Sequence, residues 1–249
     1  MDQTLSYEGY HLVWEDQFQG DTLSPENWNR ELHEPGWVNQ ELQEYTASAE
    51  NISLQNGKLV LRAVKNPDGT YTSGRVSTQY KRDFTYGIFE ARLRVPKGKG
   101  FLPAFWLMTT SEEKHGQWPR CGEIDIMEVL GHDTAVNYGT IHYGVPHEQK
   151  QGRCVLEKGD FSEEFHTFAL QWEPGRLCWY VDGKRFFTEE KWYCAREETG
   201  AIPYPAPFNH DFYIILNLAV GGTWPGDPDD STDFENAVME VDFVKVYQK

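Results

Sequence analysis

Three carboxylates fall within six residues of this chain, in the stretch Glu123-Ile124-Asp125-Ile126-Met127-Glu128. Acids alternating with large apolar residues read as a β-strand with two unlike faces. Side chains of a regular strand switch faces at every residue, which groups Glu123, Asp125 and Met127 and turns Glu128 toward Ile124 and Ile126. A lone carboxylate in an apolar core is too costly to stand there. A β-bulge near Ile126-Met127 returns Glu128 to the face of the other two acids. Like charges so close raise one pKa, leaving a protonated carboxyl beside an ionised one at neutral pH. An acid and a nucleophile of one residue type are what retaining glycoside hydrolysis uses. The competing reading of the acid row alone is a solvated acidic face or a metal-binding rim.

Such a row needs a sheet to hold it, and the composition suits one. The 249 residues are 14% aromatic and include 22 Gly and 13 Pro, which fits many strands joined by turns. It also fits a protein that lays flat apolar faces against a ligand. The formal net charge of -16 argues against a nucleic-acid partner, whose backbone demands Lys and Arg, and favours solubility instead. No apolar run reaches the roughly 18 residues of a membrane span. Met1 to Glu8 has neither a basic region nor an apolar stretch, so it does not read as a leader. Cys121, Cys154, Cys178 and Cys194 lack CxxC spacing, which speaks against zinc and for mostly free, buried thiols.

The strands that must surround the acids are legible along the chain. His11 to Trp14 opens one, and Leu23 to Trp28 forms a turn, with Ser24 as cap and Pro25 at the first helical position if it winds once. Lys58 to Ala63 alternates after the Gln55-Asn56-Gly57 turn. Gly74 to Tyr80 and Gly87 to Val95 follow, and the nearly all-apolar Leu102 to Met108 reads as buried on both faces. After the acid strand come Tyr138 to Tyr143, Phe165 to Trp172 and Arg176 to Val181. The tight Asp182-Gly183 hairpin leads to Lys184 to Thr188. Glu189 to Glu198 offers a short helix, Phe212 to Val220 a buried strand, and Met239 to Tyr247 a strictly alternating one. Ten or more strands and little helix predict an all-β sandwich of two antiparallel sheets. If one sheet curves, its concave face is a groove for an extended polymer.

The acid motif and its flanks resemble glycoside hydrolase family 16, in particular its laminarinase-like endo-β-1,3(4)-glucanases. Gly36-Trp37-Val38-Asn39-Gln40-Glu41-Leu42-Gln43 resembles the substrate-loop segment of that family. Tyr71 to Arg75, Tyr86 to Arg92, Pro103 to Met108, Gly139 to Tyr143, Trp179 to Gly183 and Asn217 to Gly222 follow in the family's order, covering roughly residues 10 to 248. The resemblance implies a jelly roll of two curved sheets, a single catalytic domain over residues 1 to 249, and retaining endo-hydrolysis of β-1,3-glucan, extending to mixed β-1,3/1,4-glucan. By the same resemblance Glu123 is the nucleophile, Glu128 the general acid/base and Asp125 the residue between that sets their charges. Their carboxyls are then expected about 5–5.5 Å apart.

Around the acids, Trp118 and Trp106 are candidates to floor sugar subsites, because pyranose C–H faces pack on indole; core packing is the alternative for each. Asn39 and Arg75 carry donors for sugar hydroxyls, at positions the family uses on the non-reducing side, with loop bracing as the alternative. His142 is placed to hydrogen-bond a catalytic carboxyl, or to be a satisfied buried histidine. Trp224 is a further candidate for the groove wall. The reaction requires no cofactor. Many relatives hold a structural calcium through an acid of a Trp-x-Asp-Glu-Phe-like segment and a C-terminal Asp. Here that segment reads Trp14-Glu15-Asp16-Gln17-Phe18, an amide in the acid's place, leaving Asp242 and the backbone of Gly57. An amide is a poorer calcium ligand than a carboxylate, which weighs against the ion. The expected partner is a β-glucan polysaccharide or oligosaccharide, with no nucleic acid and no membrane span, and the chain is expected to be a monomer. A glucan polymer cannot cross a membrane intact, so the expected location is extracellular or periplasmic, with a leader removed. The alternatives are a non-catalytic β-glucan-binding sandwich, which the intact acids disfavour, and hydrolysis of another polysaccharide such as a sulfated galactan, which calls for a basic groove.

Overall fold

The computed structural model describes residues 4–195 and 200–249, and every regular element among these is a β-strand. One eight-stranded antiparallel sheet runs, in spatial order, β17 (Lys184–Glu189), β16 (Arg176–Val181), β15 (His166–Glu173), β10 (Gly87–Arg94), β19 (Val238–Gln248), β5 (Lys58–Arg62) and β4 (Ile52–Gln55). Its eighth strand, β1 (His11–Asp16), also pairs with β19. The second runs β14 (Glu148–Val155), β13 (Val136–Tyr143), β12 (Glu123–Glu128), β11 (Phe101–Thr109), β18 (Phe212–Val220), β8 (Arg75–Ser77) and β2 (Asn29–Arg30), with β9 (Asp83–Phe84) also on β18. A small sheet of β3 (Gln43–Tyr45), β7 (Tyr71–Ser73) and β6 (Val64–Lys65) stands beside them. Neither eight-stranded sheet contains a parallel pair, as the sandwich expectation requires.

Period-two patterning builds the core between the two large sheets. Phe89, Ala91, Leu93, Phe168, Leu170, Trp172, Leu177 and Trp179 face inward from the first sheet. Phe105, Leu107, Ile124, Ile141, Ile214, Leu216 and Leu218 meet them from the second. At roughly 1.5–3 kcal/mol for each large apolar side chain buried, this layer dominates the favourable side of folding. Both hairpin expectations hold. Asn56-Gly57 and Asp182-Gly183 occupy positive φ (53°, 69°, 49° and 73°), the conformation that tight two-residue hairpins demand.

The inferred bulge is present. On the β11 side Phe105 pairs with Met127 and Trp106 with Asp125, so Ile126 has no opposite number. On the β13 side the register jumps from Asp125–Thr140 to Glu128–Tyr138. Ile124, Ile126 and Met127 all lie in the core, and the three acids share the opposite face.

Three expectations need correction, and one strand went unread. β11 is not buried on both faces, since Leu102, Trp106 and Met108 are only half-buried on the side carrying the acids. β19 is not strictly alternating. Its register on β10 shifts between Arg92–Phe243 and Leu93–Val241, so Met239 and Val241 precede a bulge, and Val244 and Val246 re-enter the core after it. Phe243 is thereby left half-exposed under the Lys245 ammonium, 4.4 Å from the ring centroid. The described part of the proposed 189–198 helix is extended or irregular, and residues 196–199 lie outside the described ones. There Trp192 and Cys194 are buried at a spacing of two, and Trp192 Nε1 donates to the Pro205 carbonyl at 2.9 Å. Finally, β14 carried no pattern, because its polar residues form a largely exposed edge paired only with β13. No helix is long and apolar enough to cross a membrane among the described residues.

Because the bulge already absorbs one residue, deleting Met127 leaves Glu-Ile-Asp-Ile-Glu, with all three acids on one face of a regular strand. The lost core side chain costs about 2–5 kcal/mol, so this variant should unfold cooperatively with Tm lowered by roughly 5–20 °C. Deleting Leu107, in a stretch with no bulge to absorb it, reverses the side chains beyond and should yield insoluble protein. Solubility and thermal unfolding of the two deletions check this.

Candidate active site

Register lays out the outer face of the second sheet in rows. Met108, Glu123 and His142 form one, Trp106, Asp125 and Thr140 the next, Ala104, Glu128 and Tyr138 the third. Tyr213, Ile215 and Asn217 of β18 continue these rows beyond β11, and Ser77 and Arg75 of β8 extend the last two. The acids therefore occupy the middle of the sheet, with polar and aromatic residues on both flanks.

A core residue of the opposite sheet holds the bulge in place. Trp179 crosses the sandwich and its Nε1–H donates to the backbone carbonyl of Asp125 at 2.8 Å, where the ladder is interrupted. The indole lies under Gly139, where an added Cβ would stand 2.5 Å from Trp179 Cδ1, so only glycine fits opposite the bulge.

The two glutamates sit in electrostatically different surroundings. Glu123 accepts the Trp118 Nε1–H at 2.9 Å. Burial raises its pKa, while that hydrogen bond and the Arg75 charge pull it back. Glu128 is raised by burial and then by the Glu123 charge, against which stands a hydrogen bond from Thr140 Oγ1 at 3.3 Å. The Thr140 hydroxyl in turn accepts Gln151 Nε2–H at 3.0 Å, which directs its own proton to Glu128. Asp125, 3% exposed, is held well above the usual carboxylate range by burial, then by the charges of Glu128 and Glu123. Donor and cation favour ionised Glu123, and that ionisation keeps a proton on Glu128. The face can thus present a nucleophilic carboxylate beside a proton donor.

Trp118 is 44% exposed, with its indole bonded to Glu123. Trp106 is half-buried in the middle row, and its Nε1 donates to Asn217 Oδ1 at 2.7 Å. Arg75 is buried rather than free in the groove. Its Nε is hydrogen-bonded to Glu31, and its guanidinium carbon lies 5.2 Å from the Trp37 ring and 4.9 Å from that of Trp106. Asn39 is exposed on the loop wall, where its carbonyl accepts Thr223 N–H at 3.1 Å and ties that loop to the one carrying Trp224. Trp224 is 39% exposed and packs edge-to-face on Tyr138, the residue opposite Glu128. His142 stands opposite Glu123, as expected, but bonds neither acid. Its Nε2 is 3.9 Å from Glu123 and 3.6 Å from Asp125, while its Nδ1 pairs with His147 Nε2 at 3.1 Å.

Sequence reasoning did not single out Trp37, Glu31, Thr140, His147 or Asn217. Asn217 did leave a signal, a polar residue inside the apolar run Phe212 to Val220. Its Oδ1 holds Trp106 and its Nδ2 donates to Tyr45 Oη at 3.1 Å. Thr140 was detectable from its alternation with His142. Glu31 left none, because its partner Arg75 is 44 residues away.

The proposed calcium residues do not fit that ion as they stand. Asp242 lies in the β19 bulge and accepts Arg92 Nη1–H at 2.5 Å. Gln19 packs over Gly57 with its Nε2 donating to the Gln17 carbonyl at 3.0 Å, and Gln17 donates to Glu15 at 3.0 Å. The carboxylate is committed to a guanidinium and the amides to local acceptors, whereas calcium takes six to eight converging oxygens.

The sequence profile of Glycosyl hydrolases family 16 matches residues 39–245. Glucan endo-1,3-beta-glucosidase of Cryptopygus antarcticus is 40% identical over 97% of this chain and 93% of its own length. Glucan endo-1,3-beta-glucosidase A1 of Niallia circulans is 37% identical over 97% of this chain, which spans 38% of that longer protein. Among solved structures, the endo-beta-1,3-glucanase of Pyrococcus furiosus is 39% identical, with a TM-score of 0.82 over 100% of this chain and 98% of its own.

Two outcomes follow from this geometry. Trp179→Phe removes the N–H that meets the Asp125 carbonyl and leaves a cavity where part of the buried indole stood, so stability should fall by about 2–5 kcal/mol, read from denaturant unfolding. Asp125→Asn tests the raised acid through pH. A carboxyl whose folded pKa exceeds its unfolded value of about 3.9 costs nothing below that pH, and destabilises as pH rises through the folded value. Asn cannot ionise, so the Tm difference between variant and parent should move in the variant's favour as pH rises from about 4 into the neutral range. Paired thermal melts across that range decide it.

Proposed function

The chain belongs to glycosyl hydrolases family 16, and from that premise we propose that it is a retaining endo-hydrolase of laminarin-type β-1,3-glucan that also accepts mixed β-1,3/1,4-glucan. The observation that carries this reading is the bulge in β12, which sets Glu123 and Glu128 on one face in surroundings that favour opposite protonation states. The names of the similar proteins, endo-1,3-beta-glucanases among them, support the substrate class.

Glu123 attacks the anomeric carbon as a carboxylate while Glu128 gives its proton to the departing glycosidic oxygen, forming a covalent glycosyl-enzyme. Loss of the Glu123 charge into that ester removes a cause of the raised Glu128 pKa. Glu128, now a better carboxylate, takes a proton from the incoming water. Trp118 serves both parts, orienting the nucleophile through its N–H and offering its exposed indole face to a sugar. Trp106 offers a second face in the middle row. The Arg75 charge is matched by Glu31, and the net charge is -16, which together disfavour a sulfated polymer. The chain acts as a monomeric single catalytic domain outside the cytoplasm, where an intact polymer is met.

Product analysis on laminarin and barley β-glucan, side by side, tests the substrate reading; accumulation of oligosaccharides rather than glucose is expected from laminarin. Glu123→Ala and Glu128→Ala should each slow natural glucan hydrolysis by at least about 10²–10⁴-fold. With an activated aryl glycoside and azide, the Glu128 variant should recover and release a β-glycosyl azide. A β-azide from the Glu123 variant instead would reverse the two roles.

A further inference from the structure

We propose that Glu123, Asp125 and His142 form a binding site for a zinc-type divalent transition metal, and that its occupancy closes the groove to substrate. Each residue offers one ligand atom, and these atoms all lie within 4.8 Å of one another. His142 Nε2 is 3.6 Å from Asp125 Oδ2 and 3.9 Å from Glu123 Oε1, both too long for a hydrogen bond. Two ligands on a tetrahedral ion with bonds of about 2.0–2.1 Å stand about 3.4 Å apart, so small side-chain shifts complete the site.

An independent observation points to a ligand here. Asp125 Oδ2 is buried and has no hydrogen-bond partner, in a residue only 3% exposed. A buried carboxylate oxygen without a donor is costly, and a cation removes that cost. His142 is prepared for the same task. Its Nδ1 is paired with His147 Nε2 at 3.1 Å, and the tautomer in which Nδ1–H donates there leaves the Nε2 lone pair aimed at the two acids.

The donor set selects the metal. One imidazole and two carboxylates suit zinc or copper, whereas magnesium and calcium prefer oxygens alone. Three protein ligands on a groove face leave a fourth position for water, the composition of an open zinc site. The inhibitory consequence rests on the reading of Glu123 as the nucleophile, because a ligated carboxylate cannot attack; the binding itself does not.

Titration of the full chain with zinc chloride in phosphate-free buffer near neutral pH, followed by calorimetry, tests the site. One zinc per chain is expected, with magnesium giving no heat. His142→Ala and Asp125→Asn, shown to be folded by thermal unfolding, should each bind zinc at least tenfold more weakly. On laminarin well below KM, zinc at ten times its Kd should slow hydrolysis about tenfold, and EDTA should restore it. Absence of saturable zinc binding, or one-to-one binding unchanged in His142→Ala, overturns the site. Zinc held through His142 by a chain that hydrolyses no glucan supports the site and overturns the proposed function. Hydrolysis without zinc binding does the reverse.

Discussion

The arrangement depends on one extra residue in a central strand. Between Asp125 and Glu128 the chain advances three residues while β13 advances two, so Glu128 emerges on the face of Glu123. An unsupported bulge would weaken the ladder where catalysis needs rigidity. Its support comes from the other sheet, where the Trp179 indole donates to the Asp125 carbonyl and fills the space left by Gly139. Core packing and site geometry are thus the same contact seen from two sides.

Electrostatics then does what geometry alone cannot. Three carboxyls this close, one buried and two half-buried, do not all ionise together, and the neighbours decide which does. An indole N–H and the Arg75 charge favour ionised Glu123; the Glu123 charge raises Glu128, against a hydrogen bond from the Thr140 hydroxyl. Arg75 itself lies against Trp37 and Trp106 with Glu31 on its Nε, so three residues outside its own strand set its position. The same crowding leaves Asp125 Oδ2 without a donor, a cost that a protonated carboxyl or a bound cation relieves.

The flanking strands serve different ends of the face. β11 and β18 supply flat or polar surface, with Trp106 locked by Asn217, and the loop walls bring Trp37 and Trp118 over it. β13 and the edge strand β14 supply the relay from Gln151 through Thr140 to Glu128. The strand with no apolar pattern is therefore the one that reaches Glu128.

The sequence by itself determined the all-β class, most strand positions, both tight hairpins, the acid trio and the bulge. Those features follow from local rules: side-chain alternation, turn chemistry and the cost of a carboxylate in a core act within a few residues. The resemblance of the motif to a known family put the two glutamates in order. Only the tertiary structure decided what surrounds each acid. Nothing local says that His142 pairs with His147 instead of a carboxylate, or that Asp242 is taken by Arg92, 150 residues away. Nor does it say that Trp179 reaches Asp125 from 54 residues away. The protonation pattern is decided at that level too, because charge and burial depend on distance in space, which the fold alone supplies.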